Sequence, residues 1–125
     1  MYSVETDKSK RLIVISAVGH VTGEEVKEVA RQVREIVRDA APGFQVLTDF
    51  RWLDSMQASA SQYLAEIMDA IAAGKVGLIA RVIPDSHKDI GLNILSQFHY
   101  GPEVQTANFE TLADALQGLA DYSDD

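Results

Sequence analysis

The residues able to do chemistry gather in the stretch DFRWLDSMQASASQYLAEI, positions 49 to 67. Two carboxylates, Asp49 and Asp54, stand with Arg51 and the single tryptophan, Trp52, ahead of two serines, Ser59 and Ser61. A serine becomes a nucleophile only when a base takes its proton and donors hold the developing oxyanion. His20 and His87 are the bases at hand, yet the chain has no G-x-S-x-G elbow and no glycine-rich phosphate loop. The three histidines, His20, His87 and His99, lack the spacing that sets two metal ligands on one helix face. Without cysteine there is no thiolate nucleophile, thiolate metal site or disulfide. No catalytic residue, metal or cofactor is expected from this pattern.

Other chemistry remains open to the same residues. Ser59 is spaced with Gln62 as a capping box, which would make it the N-cap of the following helix. The unpaired amides of such a helix start would equally accommodate a phosphoserine. Arg81 lies among apolar neighbours in GLIARVIP, and a buried arginine almost requires a carboxylate partner. Arg81 stands five residues past Val76 and Asp49 five past Phe44, so adjacent strands would set the two at similar depth. That predicts a structural Arg81–Asp49 ion pair; the alternative is an arginine poised for an acidic ligand.

Two periodicities position these side chains. YSVET and RLIVISAVG read as strands parted by the polar DKSK, with no glycine to define the turn. VTGEEVKEVARQVREIVRDA carries Val26, Val29, Ala30, Val33, Ile36 and Val37 at helical spacing. Thr22 and Glu25 form its capping box, and Pro42–Gly43 end it. FQVLTDF is nearly continuous in apolar character, as in a strand buried on both faces, and a short polar turn should follow Asp49.

SASQYLAEIMDAIAAG is the second helix, with a stripe of Tyr63, Leu64, Ile67, Met68 and Ile71, and with Gly74 at its C-terminal cap. KVGLIARVI is another buried strand. SHKDIGLNILSQFHYGP reads as a third helix, capped by Ser86 with Asp89 and stopped by Gly101–Pro102. VQTANF is a short strand, and TLADALQGLADY a last helix with Thr111 and Asp114 at its start. The order β-β-α-β-α-β-α-β-α implies an α/β fold: a mostly parallel sheet with one antiparallel strand at an edge.

Ligands of parallel α/β sheets sit beyond the carboxyl ends of the strands. That rule collects His20, then Asp49, Arg51, Trp52 and Asp54, then Asp85, Ser86 and His87, with Arg81 nearby, as a candidate binding surface. Phe98, Tyr100 and Phe109 are expected in the core between helix and sheet.

The 125 residues suit one domain spanning 1–125, long enough to bury a core without staples. Nineteen acidic against eleven basic residues give a net charge of −8, which repels a phosphate backbone and anionic lipid. Nucleic-acid binding is therefore not expected. The longest apolar run, LIVISAVG, is far below the roughly 20 residues of a membrane span. The N-terminus lacks the plan of a signal peptide, and a cytoplasmic location is expected.

In order of elements and length, the chain resembles the STAS domain family in its SpoIIAA-like branch, the bacterial anti-sigma-factor-antagonist type. In that family a buried strand ends in an aspartate, and a serine motif of the type Asp-Ser-Ser-Gly opens the next helix. Here the aspartate falls on Asp49 and the motif on Gln57, Ala58, Ser59 and Ala60, so Ser59 alone is kept. The resemblance implies the fold, a protein partner, self-association and a phosphosite-equivalent position at Ser59, without the intact phosphoserine motif. It makes the chain a non-enzymatic regulatory or protein-interaction module. Similarity of the fold to CRAL-TRIO domains implies the alternative, a carrier of a small apolar or lipid-like ligand, which needs a pocket of a few hundred Å³.

Overall fold

Strand β1 (Tyr2–Asp7) pairs antiparallel with β2 (Leu12–Val21), Tyr2 lying opposite Ala17 and Asp7 opposite Leu12. The turn between them closes without glycine. The Asp7 carboxylate accepts from the Ser9 hydroxyl at 2.7 Å and the Lys10 amide at 3.3 Å, and Arg11 takes the left-handed conformation at φ 52°. The structure, a computed structural model, describes residues 1–83, 100 and 104–122. The expected third helix, with Ser86, Asp89, Phe98 and His99, lies outside the described residues, as do Asp85 and His87.

Helix α1 (Gly23–Asp39) begins at the expected capping box. The Thr22 hydroxyl accepts from the Glu25 amide at 3.2 Å, and Glu25 accepts from the Thr22 amide at 3.0 Å. Glu25 also accepts from the Tyr2 amide at 3.2 Å, which ties β1 to the helix start. These bonds to the anion, the Thr22 amide foremost, hold the Glu25 carboxyl below the usual range. Val26, Val29, Ala30, Val33 and Val37 are buried in one stripe, and Ile36 packs beside them. Each fully buried valine of the stripe contributes roughly 1.5–3 kcal/mol.

Strand β3 (Gln45–Met56) runs parallel to β2 and is longer than the sequence pattern implies. It is followed by a 3₁₀ turn, Ala58–Ala60, and by α2 (Ser61–Ala73), which buries Leu64, Ile67, Met68 and Ile71. Gly74 caps α2 with an ordinary φ of −79°, so its backbone does not demand glycine. The need is room: a Cβ there would come within 2.4 Å of Val37 Cγ1 and 3.0 Å of the Phe44 ring. The left-handed step falls instead on Lys75, at φ 63°.

Strand β4 (Leu78–Val82) is buried at all five positions, β5 (Gln105–Phe109) lies parallel beside it, and α3 (Leu112–Asp121) starts where the Thr111 hydroxyl accepts from the Asp114 amide. The sheet order is β1-β2-β3-β4-β5, with β1 the antiparallel edge, as expected. One sheet face packs on α1 and α2 through Ile13, Ile15, Val46, Phe50 and Ile79. The other packs on α3, with Leu47, Leu78, Ala80 and Val82 against Ala115 and Leu119. No described helix is long and apolar enough to cross a membrane.

Candidate functional site

The C-terminal half of β3 breaks the regular alternation twice. Ser16 pairs with Asp49 and Val18 with Trp52, so Phe50 and Arg51 together oppose the single residue Ala17. Gly19 pairs with Leu53 and His20 with Ser55, which leaves Asp54 as a second extra residue. Each irregularity is a bulge, which inserts one residue, flips the side-chain sequence and sharpens the twist. The first keeps Phe50 and Leu53 in the α1–α2 core while turning Trp52 outward beside Val18. Gly19, opposite the second, adopts φ 67°.

Trp52 is 62% exposed and Val18 39%, neighbours across β2 and β3 on the face that α3 packs against farther down the sheet. Arg51 lies over the indole, 5.5 Å from its centroid. The same guanidinium donates to Asp49 twice, each at 2.9 Å. Such a two-pronged bond fixes both planes, and it holds the Asp49 carboxyl below its usual range. His20 Nδ1 and Ser55 Oγ are 2.7 Å apart on the same exposed strand pair. These residues make an ordered chain of Asp49, Arg51 and Trp52 on an open sheet surface.

The expected polar turn after Asp49 is therefore strand, because two bulges disguise it as irregular sequence. Asp49, Arg51 and Trp52 are brought together as expected, with Asp54 exposed at the second bulge. Arg81 is not part of this group. The register sets Arg81 opposite Thr48 and Asp49 opposite Val82, and a one-residue offset on a strand sends side chains to opposite faces. The expected Arg81–Asp49 ion pair does not form. Arg81, 6% exposed, is on the α1–α2 side, where its Nε donates to Asn108 Oδ1 at 2.9 Å.

Ser59 does not cap α2. It lies inside the 3₁₀ turn, and the helix N-cap is Ala60, with no side-chain bond. Because the chain enters α2 already wound, the N-cap is helical and offers no extended residue for a serine cap. The Ser59 side chain instead packs on Gly23 at the start of α1, where an added Cβ would come within 2.4 Å of its hydroxyl oxygen. Gln57, two positions earlier, accepts from the Gly23 amide at 2.8 Å. That link went unseen in the sequence because 34 residues separate its ends. Among the described residues, a cavity of about 40 Å³ lies between the sheet and α2, smaller than the few hundred Å³ that the carrier reading calls for.

This arrangement, a five-stranded sheet in sequential order with an antiparallel edge and helices on both sides, is the SpoIIAA-like STAS fold. An uncharacterised DUF3478-family protein from Shewanella loihica with a SpoIIAA-like fold superposes at a TM-score of 0.72, with 17% identity over 95% of this chain and 92% of its own. The anti-sigma factor antagonist SpoIIAA in its unphosphorylated form gives 0.66, with 16% identity over 98% and 100% of the two chains. An anti-sigma factor antagonist from Mycobacterium paratuberculosis gives 0.60, with 17% identity over 97% and 94%. The sequence matches no protein-family model and no curated protein sequence.

Proposed function

We propose that this chain is a non-enzymatic regulatory module of the cytoplasm that binds a protein through the open face around Trp52. The observation that carries this reading is the indole itself: 62% exposed, yet held by Arg51 and set on a bulged strand. Tryptophan and arginine are the residue types that dominate interface energetics, and a preorganised aromatic loses little entropy on docking. The net charge of −8 favours a partner with a basic rim, whereas a second copy of the chain would have to dock through the apolar Trp52 and Val18 against like-charge repulsion. The anti-sigma factor antagonists that share the fold support a regulatory module over an enzyme. The His20–Ser55 pair sits on an open strand surface rather than in a cleft, which suits hydrogen bonding at an interface better than nucleophilic attack.

Native mass spectrometry of the protein purified from its own host tests the reading. A protein complex or homodimer for the wild type, absent for Trp52→Ala with an unchanged thermal midpoint, is the expected result. An identical complex with Trp52→Ala, or a wild type that is only monomeric, would overturn it.

A further inference from the structure

The two faces of the sheet are covered unequally. On one, α1 and α2 lie side by side, and α1 reaches the edge strand β1. On the other, among the described residues, α3 is the one helix, and it packs on β3, β4 and β5. Five strands about 4.8 Å apart make a sheet about 19 Å wide, and a helix is about 10 Å across. A strip of about one helix width therefore lies open over β1 and β2, alongside α3.

This strip is apolar. Alternate residues of a strand share a face, so its floor runs from the half-buried Leu12 and Val14 to Val18, which pairs with Trp52. Its wall is α3. Gly118 of that helix faces β5, where an added Cβ would come within 2.4 Å of the Phe109 ring. Leu116, two residues earlier, is turned about 200° from Gly118, so it looks the other way, over β3 toward β2. Ala113 and Ala120 lie on the same flank, which therefore carries no charge. Of the four large apolar side chains exposed among the described residues, three border this strip: Val18, Trp52 and Leu116. The outer rim is acidic. Glu5 of β1 sits opposite Val14 and Asp7 opposite Leu12, on this same face. The Asp7 carboxylate is taken up by Ser9 and Lys10 in the turn at one end, whereas Glu5, mid-strip and exposed, makes no ion pair with a described residue.

We propose that this strip docks an amphipathic α-helix of a partner protein, with an apolar stripe flanked on one side by lysine or arginine. The inference rests on the proposed protein-binding role of the Trp52 face and adds the shape and charge of the partner. From Leu12 to Val18 the floor spans about 20 Å, which a helix covers in about 13 residues. Lying beside α3, such a helix buries its stripe between Leu116 and Val14, and one end reaches Trp52. Its basic flank meets Glu5, and the net charge of −8 draws it there. A second copy of the chain brings like charge to the same rim. An extended peptide would lay its amides on an apolar floor without acceptors.

The full chain is panned against a displayed library of peptides of about 14 residues, and the selected peptides are titrated while Trp52 emission is read. Peptides with apolar residues at helical spacing and lysine or arginine on one flank are expected. Leu116→Asp should weaken their binding at least tenfold. Glu5→Lys should weaken it at least threefold, and more at low salt. Asp39→Lys, at the exposed end of α1, makes the same change of charge and should leave binding unaltered. Thermal midpoints confirm that each variant folds, and Leu116→Gln replaces Leu116→Asp if the latter does not. Selected peptides without a helical period, binding indifferent to Leu116 and Glu5, no selected binder, or self-association through Leu116 would each overturn the helix groove. A host complex lost with Trp52→Ala but kept with Leu116→Asp would also overturn it, while leaving the Trp52 reading intact.

Discussion

The side-chain oxygen of Gln57 accepts the amide hydrogen of Gly23 at 2.8 Å, joining the end of β3 to the first turn of α1. The Gln57 amide in turn donates to the Val21 carbonyl at 2.9 Å. A helix start leaves its first amides without intrahelical partners, and this glutamine supplies an acceptor that Thr22 does not. Gln57→Ala should therefore cost about 1 kcal/mol, the net worth of one hydrogen bond. The urea midpoint reads the loss, and an unchanged midpoint would show that water replaces the glutamine fully.

Ser59 gives the opposite expectation. A serine N-cap is worth about 1 kcal/mol, up to about 2. Ser59 makes no capping bond, so Ser59→Ala should stay within about 0.5 kcal/mol of wild type, as ordinary exposed substitutions do. Chemical denaturation decides, and a loss above 1 kcal/mol would restore a capping role.

What could be seen in the sequence follows from how local each feature is. The stripes of α1 and α2 were legible because Val26 to Val37 and Leu64 to Ile71 repeat at the helical period and meet the core through that one face. The Thr22–Glu25 box was legible because both partners lie within one turn. The run from Arg51 to Met56 was not, since two bulges displace its alternation and make strand look like turn. Arg81 and Asp49 were placed at nearly the right depth, but a single residue of register separates the two faces of a sheet. The candidate surface was thus half legible: Asp49, Arg51 and Trp52 converge as residues near a strand end should, while the shape of the strand that presents them depends on β2.

Trp52 reports on its own environment, being the only tryptophan. In the free protein its emission should be that of a water-exposed indole, strongly quenched by acrylamide. Docking on the proposed face should move the emission to shorter wavelength and protect it from quencher. A buried-type emission from the free monomer would contradict the exposure at this position.

The Asp49–Arg51 pair sets the expected acid response. Its bonds to Arg51 keep the folded Asp49 pKa below that of the unfolded chain. The pair's contribution is therefore present above about pH 4, the ordinary aspartate value, and is lost as pH falls through the folded value. For this half-buried pair it is on the order of 1 kcal/mol. Asp49→Asn should lower stability at pH 7 and leave it nearly equal to wild type at pH 2, as measured by denaturation at the two pH values. A deficit that persists undiminished at pH 2 would assign the effect to packing.

Tyr2 governs the alkaline side. Its ring lies 6.5 Å from that of Phe50 in the core, and burial foremost raises its phenol above the ordinary value near 10. Above that pH the unfolded chain releases the Tyr2 proton while the folded protein retains it. The unfolded state then binds fewer protons, so stability falls as pH rises, by about 1.4 kcal/mol per pH unit for each such phenol. The stability is fully present below pH 10. Tyr2→Phe removes the group that titrates and keeps the ring, so the mutant should lose stability less steeply between pH 10 and 11 than wild type does. Denaturant titrations at pH 8, 10 and 11 measure both slopes. Equal slopes would mean that the Tyr2 hydroxyl reaches solvent and ionises in the folded protein as it does in the unfolded chain.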